Sequence, residues 1–180
     1  LVGHMGSDLN VINSARVSFG KKKDIFDNKD SKLLRYLWNH GHTSPFRHAS
    51  LQFHIKAPIF VFRQWHKHQV GCSWNEISGR YVEFTPEFYY PSKYRRQSKN
   101  NKQGSFGEID CSDEVSRIYD TCMVYAYRDY VRLLELGVCK EQARLVLPVS
   151  LYSECYWTCS LQAVLHFLKL RLDSHAQLEI

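Results

Sequence analysis

Between Leu51 and Lys56 the side chains alternate: Leu51, Phe53 and Ile55 are apolar, while Gln52, His54 and Lys56 are polar. A period of two belongs to a strand with one buried face and one wet face. The alternation stops at Pro58, whose missing N–H costs nothing in the first turn of a helix. A helix is therefore predicted from Ile59 to about His68, and it sets Arg63, Gln64 and Lys67 on neighbouring turns. A half-buried strand that runs at once into a helix demands a fold containing both.

The flanking sequence supplies the other elements. Asp8 is read as the cap of a helix over Leu9–Val17 that ends in Ser18-Phe19-Gly20, and Lys21–Asp30 as a charged loop. A second helix is predicted over Ser31–His40, with Leu33, Leu34, Leu37 and Trp38 on one face, and His42–His48 is turn-like. Tyr81–Phe84 reads as another strand. Ser112, followed by Asp113 and Glu114, opens the longest helix, which stops at Gly137. Val115, Ile118, Cys122, Tyr125 and Ala126 mark its expected buried face. Lys140–Leu147 is a short helix closed by Pro148, and Val149–Thr158 is a strand or turn. The last helix runs from about Ser160 to Leu172, with Leu161, Leu165, Leu168 and Leu172 inward and Gln162, His166 and Lys169 on another face. Residues 92–112, rich in Ser, Lys, Asn, Gln and Gly, are expected to be a flexible insertion, a lid or simply a solvated loop. No repeat and no boundary interrupts the chain, so residues 1–180 are predicted to form one α+β domain.

Polar chemistry concentrates in Arg63–Tyr81, which reads RQWHKHQVGCSWNEISGRY. Cations and hydroxyls suit a phosphate and the aromatics suit a flat ring, so a nucleotide-like ligand competes here with a solvated basic loop. The net charge of +6 favours an anionic partner without choosing among nucleotides, nucleic acid and phosphorylated cofactors. The six cysteines are read as reduced thiols of an intracellular protein. A zinc site from Cys155, Cys159, His66 and His68 is the weaker alternative, because no CxxC pair exists. No metal is predicted. No apolar run is long enough to cross a membrane.

Six segments then carry a pattern in order: ARVSFG at 15–20, SPFRH at 44–48, APIFVFRQW at 57–65, NEISGRY at 75–81, EQARLVLP at 141–148 and LKLRLDSHAQLEI at 168–180. With them the chain resembles the flavin-dependent thymidylate synthases, the ThyX family. The resemblance implies a central, mainly antiparallel sheet flanked by helices. It implies conversion of dUMP to dTMP, with methylenetetrahydrofolate as carbon donor, FAD as flavin cofactor and NADPH as reductant. It also implies a homotetramer with sites at subunit interfaces, located in the cytoplasm, or in a host's cytoplasm for a viral source. The chain is expected to lack the family's usual helical tail beyond Ile180.

Carried over by matching, the residues facing dUMP are Gln64, Lys67, Glu76, Ile77, Ser78, Gly79, Arg80, Arg144 and Arg171. Arg171 takes the catalytic position, where a fixed guanidinium stabilises the pyrimidine anion that makes C5 nucleophilic. The residues facing FAD are His48, Ser50, Lys67, His68, Gln69, Glu76, Ser160, Gln162 and His166. The family signature is Arg-His-Arg, seven residues, then Ser; here Lys67-His68-Gln69 is followed by eight residues and Ser78. Lys67 loses the bidentate fork, Gln69 loses the charge, and His166 stands where an amide is common. Simpler roles compete: His48 could cap a helix, Arg144 could pair with Glu141, and Arg171 with Asp173 or Glu179. Cys72 could have a lowered pKa beside Lys67 and His68, but hydride chemistry gives it no catalytic role. The competing functional readings are a nucleotide- or RNA-binding protein without synthase activity, and a flavin reductase.

Overall fold

The computed structural model describes residues 1–180. In chain order the strands are β1 (Gly3–Met5), β2 (Ser50–Pro58), β3 (Cys72–Glu76), β4 (Arg95–Gln97), β5 (Ser105–Glu108) and β6 (Tyr152–Ser160). The helices are α1 (Asp8–Arg16), α2 (Asn28–Asn39), α3 (Ile59–Trp65), α4 (Ser112–Glu135), α5 (Lys140–Ala143) and α6 (Leu161–Arg171), with 3-10 turns at Val17–Phe19, Ser44–His48 and Arg144–Val146. One sheet has the order β1-β2-β6-β3, and β4 pairs with β5 in a separate hairpin. The expected mixture of helices around an antiparallel sheet is present.

The chain groups into two compact units, each assembled from three stretches. The first holds residues 1–55, 67–75 and 155–172. There β1 pairs antiparallel with β2, Gly3 opposite Gln52 and Met5 opposite Ser50. The predicted alternation in β2 is realised. Phe53 stacks on Trp157 at 5.5 Å on the inner face, and His54 stacks on Tyr156 at 4.8 Å on the outer one. Trp157 also packs against Trp74 and Phe167, each at 5.4 Å, so one indole joins β2, β3, β6 and α6. A second cluster buries Val11, Phe46 and Ala49 beneath Leu34, Leu37, Trp38, Leu161 and Leu165.

Three local readings change in this unit. The charged loop ends early, because Asp27 caps α2: its carboxylate accepts from Asp30 N while Asp30 accepts from Asp27 N. Asp30 is fully buried, bonded by Arg16 and by Lys23 at 2.7 Å, and these cations hold its carboxyl well below the usual range. On α6 Val164 and Phe167 are buried and Leu161 and Leu165 pack inward as expected, whereas Leu168 and Leu172 are exposed. The leucine spacing was the louder signal, but the sheet aromatics select the face that carries Phe167. At α1 the cap position is Ser7, with Asp8 already in the first turn.

The second unit holds residues 56–66, 76–154 and 173–180. Pro58 closes β2 and caps α3, which ends at Trp65 rather than His68. Val61 and Phe62 bury one side of α3, and its first amides bond to Leu151 O and Val149 O, both at 2.9 Å. Tyr81–Phe84 is not a strand. The amides of Tyr81 and Val82 both turn back to Ser78 O, and Phe84 is held by the hydroxyls of Tyr127 and Tyr130. Those tyrosines, with Met123, define the inward face of α4; Ile118, Cys122 and Tyr125 are exposed, against the expectation. The 92–112 segment, read as loop, contains the β4–β5 hairpin.

Candidate functional site

Each unit contains a cavity lined by residues of the Arg63–Tyr81 stretch. The first, of about 590 Å³, lies in the first unit. Lys67, His68 and Gln69 follow α3 and lead to Gly71, where φ is +72°. Facing them are Ser160, Gln162, Ala163 and His166 from the start of α6, and Arg47 from the Ser44–His48 turn. A side chain on Gly71 would meet Ser160 Oγ at 3.0 Å, so the turn needs glycine both for its dihedral and for its closeness to α6.

Hydrogen bonds fix this wall. Ser160 caps α6 by accepting from Ala163 N at 3.2 Å, which leaves its own O–H able to donate. Arg47 Nε donates to Gln162 Oε1 at 2.5 Å, leaving the Gln162 amide hydrogens available. Arg171 Nε donates to His68 Nε2 at 3.0 Å, and the His68 ring meets Phe167 edge-on at 5.0 Å. Burial, then the Arg171 and His166 charges, lower the His68 pKa below its ordinary 6.5. Two cations, two imidazoles and the capped start of α6 thus surround one cavity. Cys72 lines it too, and its thiol is pushed up by burial rather than lowered, so the activated-thiol idea does not hold.

The second cavity, about 270 Å³, lies in the second unit between Ile59, Glu76, Ile77, Ser78, Phe84, Arg144, Leu147 and Leu151. Ser153 Oγ donates to Glu76 Oε1 at 2.6 Å and holds the carboxylate in place. Gly79 is packed so tightly that a Cβ would lie 2.2 Å from the Phe84 ring and 3.1 Å from Arg144 Cδ. Arg80 pairs with Glu141 at 3.1 Å. The simpler partners proposed for the arginines are thereby engaged elsewhere: Glu141 by Arg80, Glu179 by Arg95 and Asp173 by His175.

Of the nine residues assigned to FAD, Lys67, His68, Gln69, Ser160, Gln162 and His166 line the first cavity. His48 is exposed on the turn before β2, Ser50 sits opposite Met5 in the sheet, and Glu76 lines the second cavity. Of the dUMP set, Glu76, Ile77, Ser78 and Arg144 line the second cavity, with Gly79 and Arg80 on the same turn. Gln64 donates to Gln177, while Lys67 and Arg171 belong to the first unit. Arg47, Gly71, Cys72 and Ala163 were not singled out as ligand residues, although Arg47 precedes His48 in the SPFRH segment. No group of three or more His, Cys, Asp or Glu side chains is arranged to hold a metal ion. No helix is long and apolar enough to cross a membrane.

A family model described as thymidylate synthase complementing protein matches residues 1–180. The flavin-dependent thymidylate synthase of Kosmotoga olearia is 47% identical over 182 residues, which cover 100% of this chain and 78% of that protein. The flavin-dependent thymidylate synthase of Thermus thermophilus is 47% identical over 180 residues, 100% of this chain and 66% of its own length. Among solved structures, the UMP/dUMP methylase PolB from Streptomyces cacaoi bound with 5-Br dUMP shares 39% identity and a TM-score of 0.86 over 95% of this chain and 76% of that one. The same protein bound with 5-Br UMP gives a TM-score of 0.87 at 38% identity, over 100% of this chain and 81% of that one.

Proposed function

Because this chain belongs to the flavin-dependent thymidylate synthase family, we propose that it methylates dUMP to dTMP, with methylenetetrahydrofolate as carbon donor and NADPH as reductant. The observation that carries the reading is the first cavity, where Lys67-His68-Gln69 faces Ser160, Gln162 and His166. Its lining suits FAD. Arg47 and Lys67 match a diphosphate, the imidazoles match a flat ring, and the side-chain-free Gly71 leaves room against Ser160. When bound, the flavin supplies the hydride that completes the methyl group.

The chain's own residues bind, orient and stabilise. Arg144 supplies a cation and Ser78 a hydroxyl for the nucleotide phosphate, beside the Gly79 turn that admits no side chain. Glu76, fixed by Ser153, accepts hydrogen bonds from sugar hydroxyls or ring N–H groups. Arg171 holds positive charge at the pyrimidine, favouring loss of the N3 proton and so raising electron density at C5. His68 accepts the Arg171 N–H and keeps the guanidinium oriented. A homotetramer whose sites draw on several chains is what the family resemblance implies. The reaction is assigned to the cytoplasm, as the family resemblance implies.

Release of tritium from dUMP labelled at C5, with FAD, methylenetetrahydrofolate and NADPH present, tests this reading. Tritium in water supports it. Flavin-dependent NADPH oxidation without tritium release would reduce the protein to a flavin reductase.

A further inference from the structure

Two thiols face each other across the seam between β3 and β6. Ser160 N donates to Gly71 O at 3.0 Å and Ile77 N donates to Glu154 O at 2.9 Å. Equal lengths of strand separate these bonds, so the antiparallel register between them carries no bulge. That register sets Trp74 opposite Trp157, whose rings stack at 5.4 Å, and it sets Cys72 opposite Cys159. Both are positions that exchange no backbone hydrogen bond, where Cα atoms of antiparallel strands lie about 4.5 Å apart. A disulfide needs Cα atoms roughly 4.4–6.8 Å apart, so a bond here closes without moving the strands.

The two thiols differ in access. Cys159 is 2% exposed, with its Sγ 3.9 Å from Leu51 O. Cys72 is half-buried and lines the first cavity, open to small molecules. Burial pushes both thiols up, Cys159 to about 12, while the hydrogen bond between them eases ionisation of Cys72 and opposes that of Cys159. Cys72 is therefore the thiol that reacts first and Cys159 the one that resolves. Neither takes part in the proposed methyl transfer.

We propose that Cys72 and Cys159 form a reversible cross-strand disulfide in the wall of the first cavity, made by exchange with a low-molecular-weight disulfide that enters there. The Cys72 thiolate attacks one sulfur of RSSR, the S–S bond breaks, and the departing RS⁻ takes up a proton. Cys159 then yields its proton to solvent and attacks the Cys72 sulfur, expelling the second RS⁻, which is protonated in turn. Two cysteine thiols are oxidised and one RSSR is reduced to two RSH. Closing the bridge ties the Gly71-Cys72 corner to β6, beside Ser160. The resolving step needs the Cys159 thiolate, so it accelerates on the order of tenfold per pH unit below that thiol's pKa.

The test uses the full chain carrying Cys111→Ser, Cys122→Ser and Cys139→Ser, which removes the exposed thiols. After incubation with oxidised glutathione, the remaining thiols are alkylated and the peptides mapped by mass spectrometry. The expected product joins the Cys72 peptide to the Cys159 peptide, forms faster as pH rises, and reverts with dithiothreitol. Adding Cys159→Ser should leave a stable glutathione adduct on Cys72. A Cys72 adduct that persists while Cys159 stays alkylatable would overturn the proposal, as would two unmodified thiols or a bridge to Cys155. If the triple variant does not fold, the same mapping on the unmodified chain decides by the same linkage.

Discussion

Arg171 Nε donates to His68 Nε2 at 3.0 Å, so the neutral His68 ring carries its proton on Nδ1. A guanidinium at the end of α6 is thereby aimed by an imidazole from the Lys67-His68-Gln69 wall. Protonating His68 removes the acceptor and sets two cations against each other, in line with its lowered pKa.

This gives a pH dependence with a definite sign. Above pH 6.5 His68 is neutral in both folded and unfolded chains, and its contribution is fully present. Below 6.5 the unfolded chain takes up a proton first, so stability falls until pH passes the depressed folded value. Urea midpoints measured from pH 8 down to about 5 should decline, and His68→Gln should flatten part of that slope. Identical slopes in the two proteins would mean that neither the burial of His68 nor its neighbouring cations couples its protonation to stability.

At Gly79 a methyl group would lie 2.2 Å from the Phe84 ring, against a segment pinned by Tyr127 and Tyr130. Gly79→Ala should therefore displace the Ser78–Arg80 turn and cost about 1–3 kcal/mol of stability. Nucleotide binding should weaken at least tenfold, read by calorimetric titration at a temperature where the variant is folded. Unchanged affinity would remove the turn from the binding surface.

Trp157 is 2% exposed and touches Phe53, Trp74 and Phe167. Trp157→Leu should cost about 2–4 kcal/mol, below the value for full truncation to Ala, because part of the cavity is refilled. Loss of near-ultraviolet ellipticity with far-ultraviolet ellipticity kept would mark the loss of ring packing.

The two cavities should respond separately to charge removal. Lys67→Gln should weaken flavin retention by roughly one to two orders of magnitude, as expected for a lost charge-assisted hydrogen bond. Arg144→Gln should do the same to dUMP while leaving flavin absorbance intact. If Arg144→Gln instead strips the flavin, the assignment of the cavities is reversed.

The strand at β2 was legible because its two faces meet different surroundings, rings on one side and solvent on the other. Faces of α4 and α6 were not. Ile118, Cys122 and Tyr125, or Leu168 and Leu172 of α6, form plausible stripes, and only the partners decide between these and Met123, Tyr130, Val164 and Phe167. Tyr81–Phe84 has strand-forming residues but no strand beside it, and the tyrosine hydroxyls of α4 hold it instead. Matching to the family names Lys67, His68, Gln69, Ser160, Gln162 and His166 together for the flavin, and these six line one cavity. Arg47 escaped notice because its place at the cavity comes from a turn distant in sequence from both Lys67-His68-Gln69 and α6.

The most direct measurement is the visible absorption spectrum of the purified protein after incubation with FAD, recorded before and after adding dUMP. Bound oxidised flavin should give its visible bands, and those bands should shift on adding dUMP. A protein that retains no flavin, yet binds dUMP or RNA, would contradict this expectation: the Lys67-His68-Gln69 wall would then have lost the cofactor, and a binding protein of the same fold would be the right description.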